Sequence, residues 1–240
     1  GTNILITFNA KKAPFDDARV RRALSLAIDR WQASQVLSRT TNLKAVGGSV
    51  RPGSAMAATE AELAALPGFS KDIAASRAEA KKLLAEAGHP ALKFKLSNRA
   101  APQNPFLATA IFLIDQWRQI GVEVEHAPLQ DTAYNTTLSE GSFDLVLDFQ
   151  SDYVDEPDFS FSRFLSADIS GNRARYIDRT VDGLVAKQSG LADNPAERRK
   201  VIRDLEKRLM TESYMVPFLW WHRIIIHDKS IKGWHMGPTH

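Results

Sequence analysis

The residues best suited to chemistry fall in one run, Gln150-Ser151-Asp152-Tyr153-Val154-Asp155-Glu156-Pro157-Asp158-Phe159, which follows the apolar stretch Phe143–Phe149. It sets Asp152, Asp155, Glu156 and Asp158 beside Phe149, Tyr153 and Phe159. A carboxylate at an apolar-lined strand end can hold an ammonium through charge-assisted hydrogen bonds. The same run also reads as a solvated acidic loop in which Asp158 caps the next helix. Ser97-Asn98-Arg99 places a guanidinium where a carboxylate or phosphate could be held, or simply a surface arginine. Trp220-Trp221-His222 could stack a ligand or belong to the core. Neighbouring strand residues face opposite ways, so at least one of the two tryptophans should be packed.

Enzyme templates fail. There is no Gly-x-Ser-x-Gly elbow, no Gly-x-Gly-x-x-Gly turn and no His-Glu-x-x-His pair. The glycines of Gly47-Gly48-Ser49 and Arg51-Pro52-Gly53 suggest tight turns, and no Gly-Lys-Ser/Thr follows them. The six histidines show no ligand-like spacing, and with no cysteine there is no thiolate metal site. No metal, no cofactor and no catalysis are expected.

Composition is that of a globular protein: 240 residues, 44% hydrophobic and 25% charged. A chain of this length should bury roughly 70–75% of its unfolded surface. Lys and Arg number 31 against 28 Asp and Glu, a net charge of +3. The basic residues are scattered and are not gathered with aromatics, which argues against a nucleic-acid partner. The absence of cysteine is compatible with an oxidising compartment. No stretch reaches the roughly 18 apolar residues of a membrane span. The first residues read as a strand rather than a signal peptide, so the chain is expected to be a part of something longer.

The elements that would position these groups alternate. Asn3–Asn9 reads as a buried strand. A helix opens near Asp16 and Asp17, with Val20, Ala23, Leu24, Ala27 and Ile28 at helical spacing. Arg19, Arg21, Arg22 and Arg30 around that stripe read as a solvated face paired with Asp16, Asp17 and Asp29. Residues 40–53 read as a loop. Ser76-Arg77-Ala78-Glu79 matches a capping box, and its helix should end at Gly88. Strands follow at Leu92–Leu96, Val122–Glu125 and Phe143–Phe149. Helices follow at Asn104–Ile120, Asp131–Glu140, Thr180–Gln188 and Pro195–Glu212. Two apolar runs, Val216–Trp221 and Arg223–His227, close the series. This order predicts an α/β domain with an open mixed sheet flanked by helices, whose ligands sit beyond the carboxyl ends of strands.

The segment Phe8-Asn9, Pro14-Phe15-Asp16-Asp17-Ala18-Arg19-Val20-Arg21-Arg22-Ala23-Leu24 and Ala27-Ile28-Asp29-Arg30 resembles the signature of the family-five extracellular solute-binding proteins. The likeness continues through Ala80–Gly88, Gln116–Val124, Phe143-Asp144-Leu145, Asp152–Pro157 and Val216-Pro217, and so covers nearly the whole chain. These proteins are the dipeptide, oligopeptide and nickel receptors of ABC importers. The resemblance implies one lobe of a two-lobed type II periplasmic binding protein. Residues 1–240 would be the second, C-terminal ligand-binding lobe, ending near the return crossover at Lys232-Gly233-Trp234.

The resemblance also implies a role. The parent protein would bind a peptide-like or zwitterionic solute between its lobes and deliver it to an inner-membrane ABC permease. It would work in the periplasm or as a lipid-anchored extracellular protein. An Asp in the loop after the strand, with an aromatic three residues earlier, would pair with the ligand's α-amino group; Asp152 with Phe149 fits that pattern, and Asp155 is the alternative contact. Tyr153, Arg99, Trp220 and Trp221 complete the expected ligand set. The sensing half of a bacterial transcription regulator is the alternative role.

Overall fold

The computed structural model describes residues 1–101, 105–166, 171–222 and 226–233. Its centre is strand β1 (Thr2–Phe8), buried at every position. The β-branched and apolar residues of this strand need cover on both faces, and it lies inside a six-stranded sheet. The other strands are β2 (Leu43–Ala45), β3 (Lys93–Arg99), β4 (Glu123–Leu129), β5 (Leu145–Ser151) and β6 (Met215–Trp221), in the order β2-β6-β1-β5-β3-β4. β1 runs antiparallel to both β5 and β6, and β3 runs parallel to both β4 and β5. The carboxyl ends of β3, β4, β5 and β6 therefore share one edge with the start of β1. That edge collects Arg99, Ser151, Trp221 and Gly1.

The helices are α1 (Ala18–Leu26), α2 (Arg30–Leu37), α3 (Glu60–Ala64), α4 (Ile73–Glu86), α5 (Phe106–Arg118), α6 (Asp131–Glu140), α7 (Pro157–Phe161), α8 (Arg179–Ser189) and α9 (Pro195–Glu212). α5 carries the crossover between β3 and β4, and α6 the one between β4 and β5. The main core joins the sheet to α1, α4, α5 and α9 through residues such as Phe8, Leu24, Leu84, Trp117 and Leu205. A smaller cluster of Tyr134, Leu138, Phe143 and Val146 seats α6 on β5.

Several expectations need correction. The helical stripe from Val20 to Ile28 is not one helix. α1 ends at Leu26, and the Asp29 carboxylate accepts from Gln32 N–H at 2.8 Å to start α2. Ser76 does not cap α4. Asp72 sits one turn earlier and accepts from Ala75 N–H at 3.0 Å, while the Ser76 hydroxyl donates back to the Asp72 carbonyl at 2.9 Å. The capping box lies instead at Thr59 and Glu62, at the start of α3. The presumed loop 40–53 contains the short strand β2, paired to β6. The strand placed at Phe143–Phe149 runs from Leu145 to Ser151, so Gln150 and Ser151 belong to it. Asn104 and the core of the Arg223–His227 run lie outside the described residues, as does Trp234.

The arginine face also differs. Arg19 does pair with Asp17, at 2.7 Å. Arg21 and Arg30, however, are 2% and 1% exposed. Arg21 donates to the carbonyls of Glu212 at 2.9 Å and Phe15 at 2.7 Å. Arg30 donates to the carbonyls of Pro217 at 3.0 Å and Ser25 at 3.2 Å, and also to that of Gly68. Glu212 and Ser25 lie at helix carboxyl ends, where backbone carbonyls lack intrahelical donors and carry partial negative charge. These two guanidiniums are internal ties rather than a solvated face.

Candidate functional site

β6 carries the device that shapes the ligand edge. Leu5 pairs with Pro217 but Asn3 pairs with Trp220, so β6 has one extra residue between them. Such a bulge reverses the alternation of side chains past it. Phe218, before the bulge, meets Phe112 of α5 at a ring separation of 6.1 Å. Past it, Trp221 and not Trp220 turns to α5, with its ring 6.5 Å from Phe106. Phe106 also meets Phe149 of β5 at 6.2 Å. Phe149, Phe106 and Trp221 thus form an aromatic row along the strand ends. Trp220 is 2% exposed and its indole N–H donates to the Gly48 carbonyl at 3.1 Å, so it is the packed member of the pair.

The acidic run divides in two. Asp152 is 3% exposed. Its Oδ2 accepts from the Ser160 hydroxyl at 2.8 Å, and its Oδ1 accepts from Gln150 Nε2 at 2.8 Å. Burial pushes this carboxyl up from its ordinary value, and those two hydrogen bonds oppose the shift. Its backbone N–H donates to the Gly1 carbonyl at 2.7 Å, which fixes the loop to the start of β1. Asp155 is more open and lies 3.2 Å from an Arg51 nitrogen. Glu156, not Asp158, is the N-cap of α7, because Pro157 occupies the first helical position. Glu156 bonds Arg198 of α9, and Asp158 lies 3.6 Å from the same guanidinium and accepts from Gln188 and Ser189. Tyr153 is 61% exposed and rests edge-on against Phe159 at 5.9 Å.

Arg51 comes from the loop between β2 and α3, and α9 holds that loop. Buried Glu206 accepts from the backbone N–H groups of Ser49 at 2.9 Å and Val50 at 3.4 Å, and lies 3.0 Å from Arg203. A Cβ on Gly48 would overlap the Glu206 carboxylate, so only glycine allows this approach. Burial pushes the Glu206 carboxyl upward, against the pull of Arg203.

At the end of β3, the Arg99 guanidinium lies 5.3 Å from the Tyr134 ring centre and 3.2 Å from Asp131. His126 on the neighbouring strand bonds Asn98 at 2.7 Å, and burial lowers its pKa.

Some of the buried polar atoms without hydrogen-bond partners among the described residues lie at this same edge, while others, such as those of Thr7, Arg203 and Glu206, lie elsewhere. Those at the edge are Trp221 Nε1, Gln150 Oε1 and both side-chain polar atoms of Asn3; Arg99 Nε makes no hydrogen bond but is ion-paired to Asp131 Oδ1 at 3.2 Å. Such atoms are rare inside proteins because each costs desolvation without return. Asn3 and Gln150 stand opposite each other in the β1–β5 register. Neither was among the residues expected from sequence; each is a polar residue inside a strand otherwise rich in apolar side chains, which was the available signal. Thus Arg99, Phe149, Asp152, Tyr153, Asp155, Trp220 and Trp221 all lie at one edge of the sheet, although Asp152 and Trp220 point their polar atoms inward. Among the described residues no group of His, Asp and Glu is arranged to hold a metal ion. No helix among them is long and apolar enough to cross a membrane.

Known proteins share both sequence and fold. The chain is 30% identical to the periplasmic oligopeptide-binding protein OppA of Salmonella typhimurium over 236 residues, which is 96% of this chain and 41% of that protein. It is 27% identical to heme-binding protein A of Haemophilus influenzae, over 99% of this chain and 43% of the relative. The structure of the Escherichia coli murein tripeptide binding protein MppA superposes with a TM-score of 0.80 at 25% identity, covering 92% of this chain and 42% of that one. The chain therefore spans about two-fifths of the length of these relatives, and its open mixed sheet with flanking helices matches one lobe of them. The family described as bacterial extracellular solute-binding proteins, family 5 Middle, matches residues 1–172, and the chain belongs to that family.

Proposed function

We propose that residues 1–240 are the C-terminal ligand-binding lobe of a longer substrate-binding protein that serves an ABC importer. The observation that carries this reading is the aromatic row at the strand ends, with the unpartnered indole nitrogen of Trp221 in it. Groups left unpaired in the lobe are groups a ligand can satisfy. The chemistry suits a peptide-like or zwitterionic solute. Asp155, with its carboxylate open to solvent, would meet the ligand's ammonium, and Asp152 would brace the loop through Ser160 and Gln150. Arg99 and Trp221 would offer donors to the ligand's oxygens. Phe149 would line the wall, Trp220 would back it, and Tyr153 would flank the entrance. The family has receptors rather than enzymes as its named members, and no catalytic role is proposed.

The parent would act in the periplasm or on a lipid anchor, and would pass its solute to an inner-membrane permease in a transient contact. The relatives named above are periplasmic or binding proteins, which favours this reading over the sensing half of a transcription regulator.

Native mass spectrometry of the full-length parent, purified without denaturation, tests the proposal. A small mass released on unfolding is expected, and a mixed pool of short peptides should replace it. A protein that carries no such mass and takes up no peptide would overturn the peptide reading. Retention of full affinity by an Asp152→Ala, Asp155→Ala double variant would overturn the site.

A further inference from the structure

A second cleft lies away from the strand ends. It has a volume of about 400 Å³ and is lined by Asn135, Leu138, Ser139, Asn172, Arg173 and Arg175, with no acidic side chain among the described residues of its wall. Its floor belongs to α6 and its rim to the turn 171–175, which is fastened near the far end of β1 by the Ala10 N–H bond to the Ala174 carbonyl at 3.0 Å.

The charges around it do not balance. Asp148 of β5 is wholly buried and bonds two guanidiniums, Arg163 and Arg173, the latter at 2.8 Å. Arg175 bonds the Ser139 carbonyl at 2.9 Å and has no carboxylate partner among the described residues. Arg163 and Arg173 thus share one buried anion, and Arg175 beside them pairs with a carbonyl rather than a carboxylate among the described residues.

The backbone also holds Arg175 in place. Its φ is +61°, the left-handed region that non-glycine residues seldom adopt. Its N–H donates to Asn172 Oδ1 at 2.9 Å, and the Asn172 amide donates to the Leu165 carbonyl at 2.7 Å. Gly141 makes room for the side chain, because a Cβ there would overlap the guanidinium. Strained residues that persist inside a bracing network cluster at ligand clamps.

We propose that this cleft binds a compact oxyanion of the phosphate class, separately from the solute held at the strand ends. Arg173 and Arg175 supply the charge, the amide of Asn135 borders the cleft with a further polar group, and Asn172 braces Arg175. The volume exceeds that of the bare ion, so the phosphate head of a small ester fits as well as free phosphate.

The test uses the full-length protein at constant ionic strength, with inorganic phosphate as the probe and chloride as the reference. Calorimetry should give saturable phosphate binding, and thermal unfolding should shift upward with phosphate concentration. Asn135→Asp places a carboxylate in the cleft on an exposed helical position and should weaken phosphate at least tenfold, with a cooperative melt in chloride showing that it folds. Arg175→Gln should weaken it similarly. Equal phosphate affinity in Asn135→Asp and wild type, or no saturable binding at all, would overturn the site. Competition by sn-glycerol 3-phosphate identifies an ester head as the ligand, and its failure to compete identifies the free ion; either result upholds the cleft as an oxyanion site.

Discussion

The Ser160 hydroxyl donates to Asp152 Oδ2 at 2.8 Å across the mouth of α7, and that bond turns the carboxylate into the protein. Gln150 completes the arrangement from the strand. The loop that follows β5 is therefore hung from a buried acid. Asp152→Ala should lower stability by about 1–3 kcal/mol, because two buried donors lose their acceptor. The carboxyl is raised by burial, so the folded state binds its proton more tightly than the unfolded state does. Its contribution to stability is fully present below the ordinary value of 3.8 and is lost as pH rises through the folded value. Asp152→Asn keeps one acceptor oxygen for Gln150, leaves the Ser160 hydroxyl to accept from the new amide instead of donating, and should flatten that part of the pH profile. Urea titrations at several pH values check both outcomes.

Glu206 holds the Arg51 loop by its amides, so its removal should be felt there first. Glu206→Ala should cost about 3 kcal/mol or more, since Arg203 is left without its buried partner. The midpoint in urea should fall with an unchanged slope. Hydrogen exchange gives the sharper reading: the amides of Ser49 and Val50 should exchange far faster in the variant, while those of β1 should not.

Much of this lobe could be read from residue order, and the failures share one cause. The helix Asp131–Glu140 appears with the expected bounds because its start, its periodicity and Gly141 are local signals. β1 and α9 are equally local. Arg21 and Arg30 misled because their acceptors are carbonyls of Glu212 and Pro217, distant in sequence and invisible to helical spacing. β2 was missed because three residues gain strand character only from pairing with β6. At the site, the residue types at the strand ends were legible. Which of them face the ligand was not, because the bulge in β6 exchanges Trp220 for Trp221 and because Ser160 and Gln150 claim Asp152.

Phe106 stands between Phe149 and Trp221 and is 1% exposed. Phe106→Ala should destabilise by about 3–5 kcal/mol through lost burial and the cavity left behind. Phe106→Leu keeps most of the volume and should stay folded, yet it removes the ring that spaces the wall. In the full-length protein, Phe106→Leu should weaken solute binding several-fold with a small change in the unfolding midpoint. An unchanged affinity would show that the aromatic row is core and not ligand wall.

Arg99 is held 3.2 Å from Asp131, whose side chain is 64% exposed. An exposed carboxylate gives little stability to such a pair, about 0–1 kcal/mol. It does, however, compete with any anionic group of a ligand for the same guanidinium. Asp131→Asn should therefore leave the unfolding midpoint nearly unchanged and tighten a solute that carries a carboxylate. Arg99→Gln should weaken that solute and make it indifferent to the Asp131 substitution. A double-mutant cycle on solute affinity, measured by the change in tryptophan fluorescence, checks the coupling. If the two substitutions act additively, Arg99 does not touch the ligand, and the anionic end of the solute must be held by another donor on this edge, of which Trp221 Nε1 is the nearest in kind.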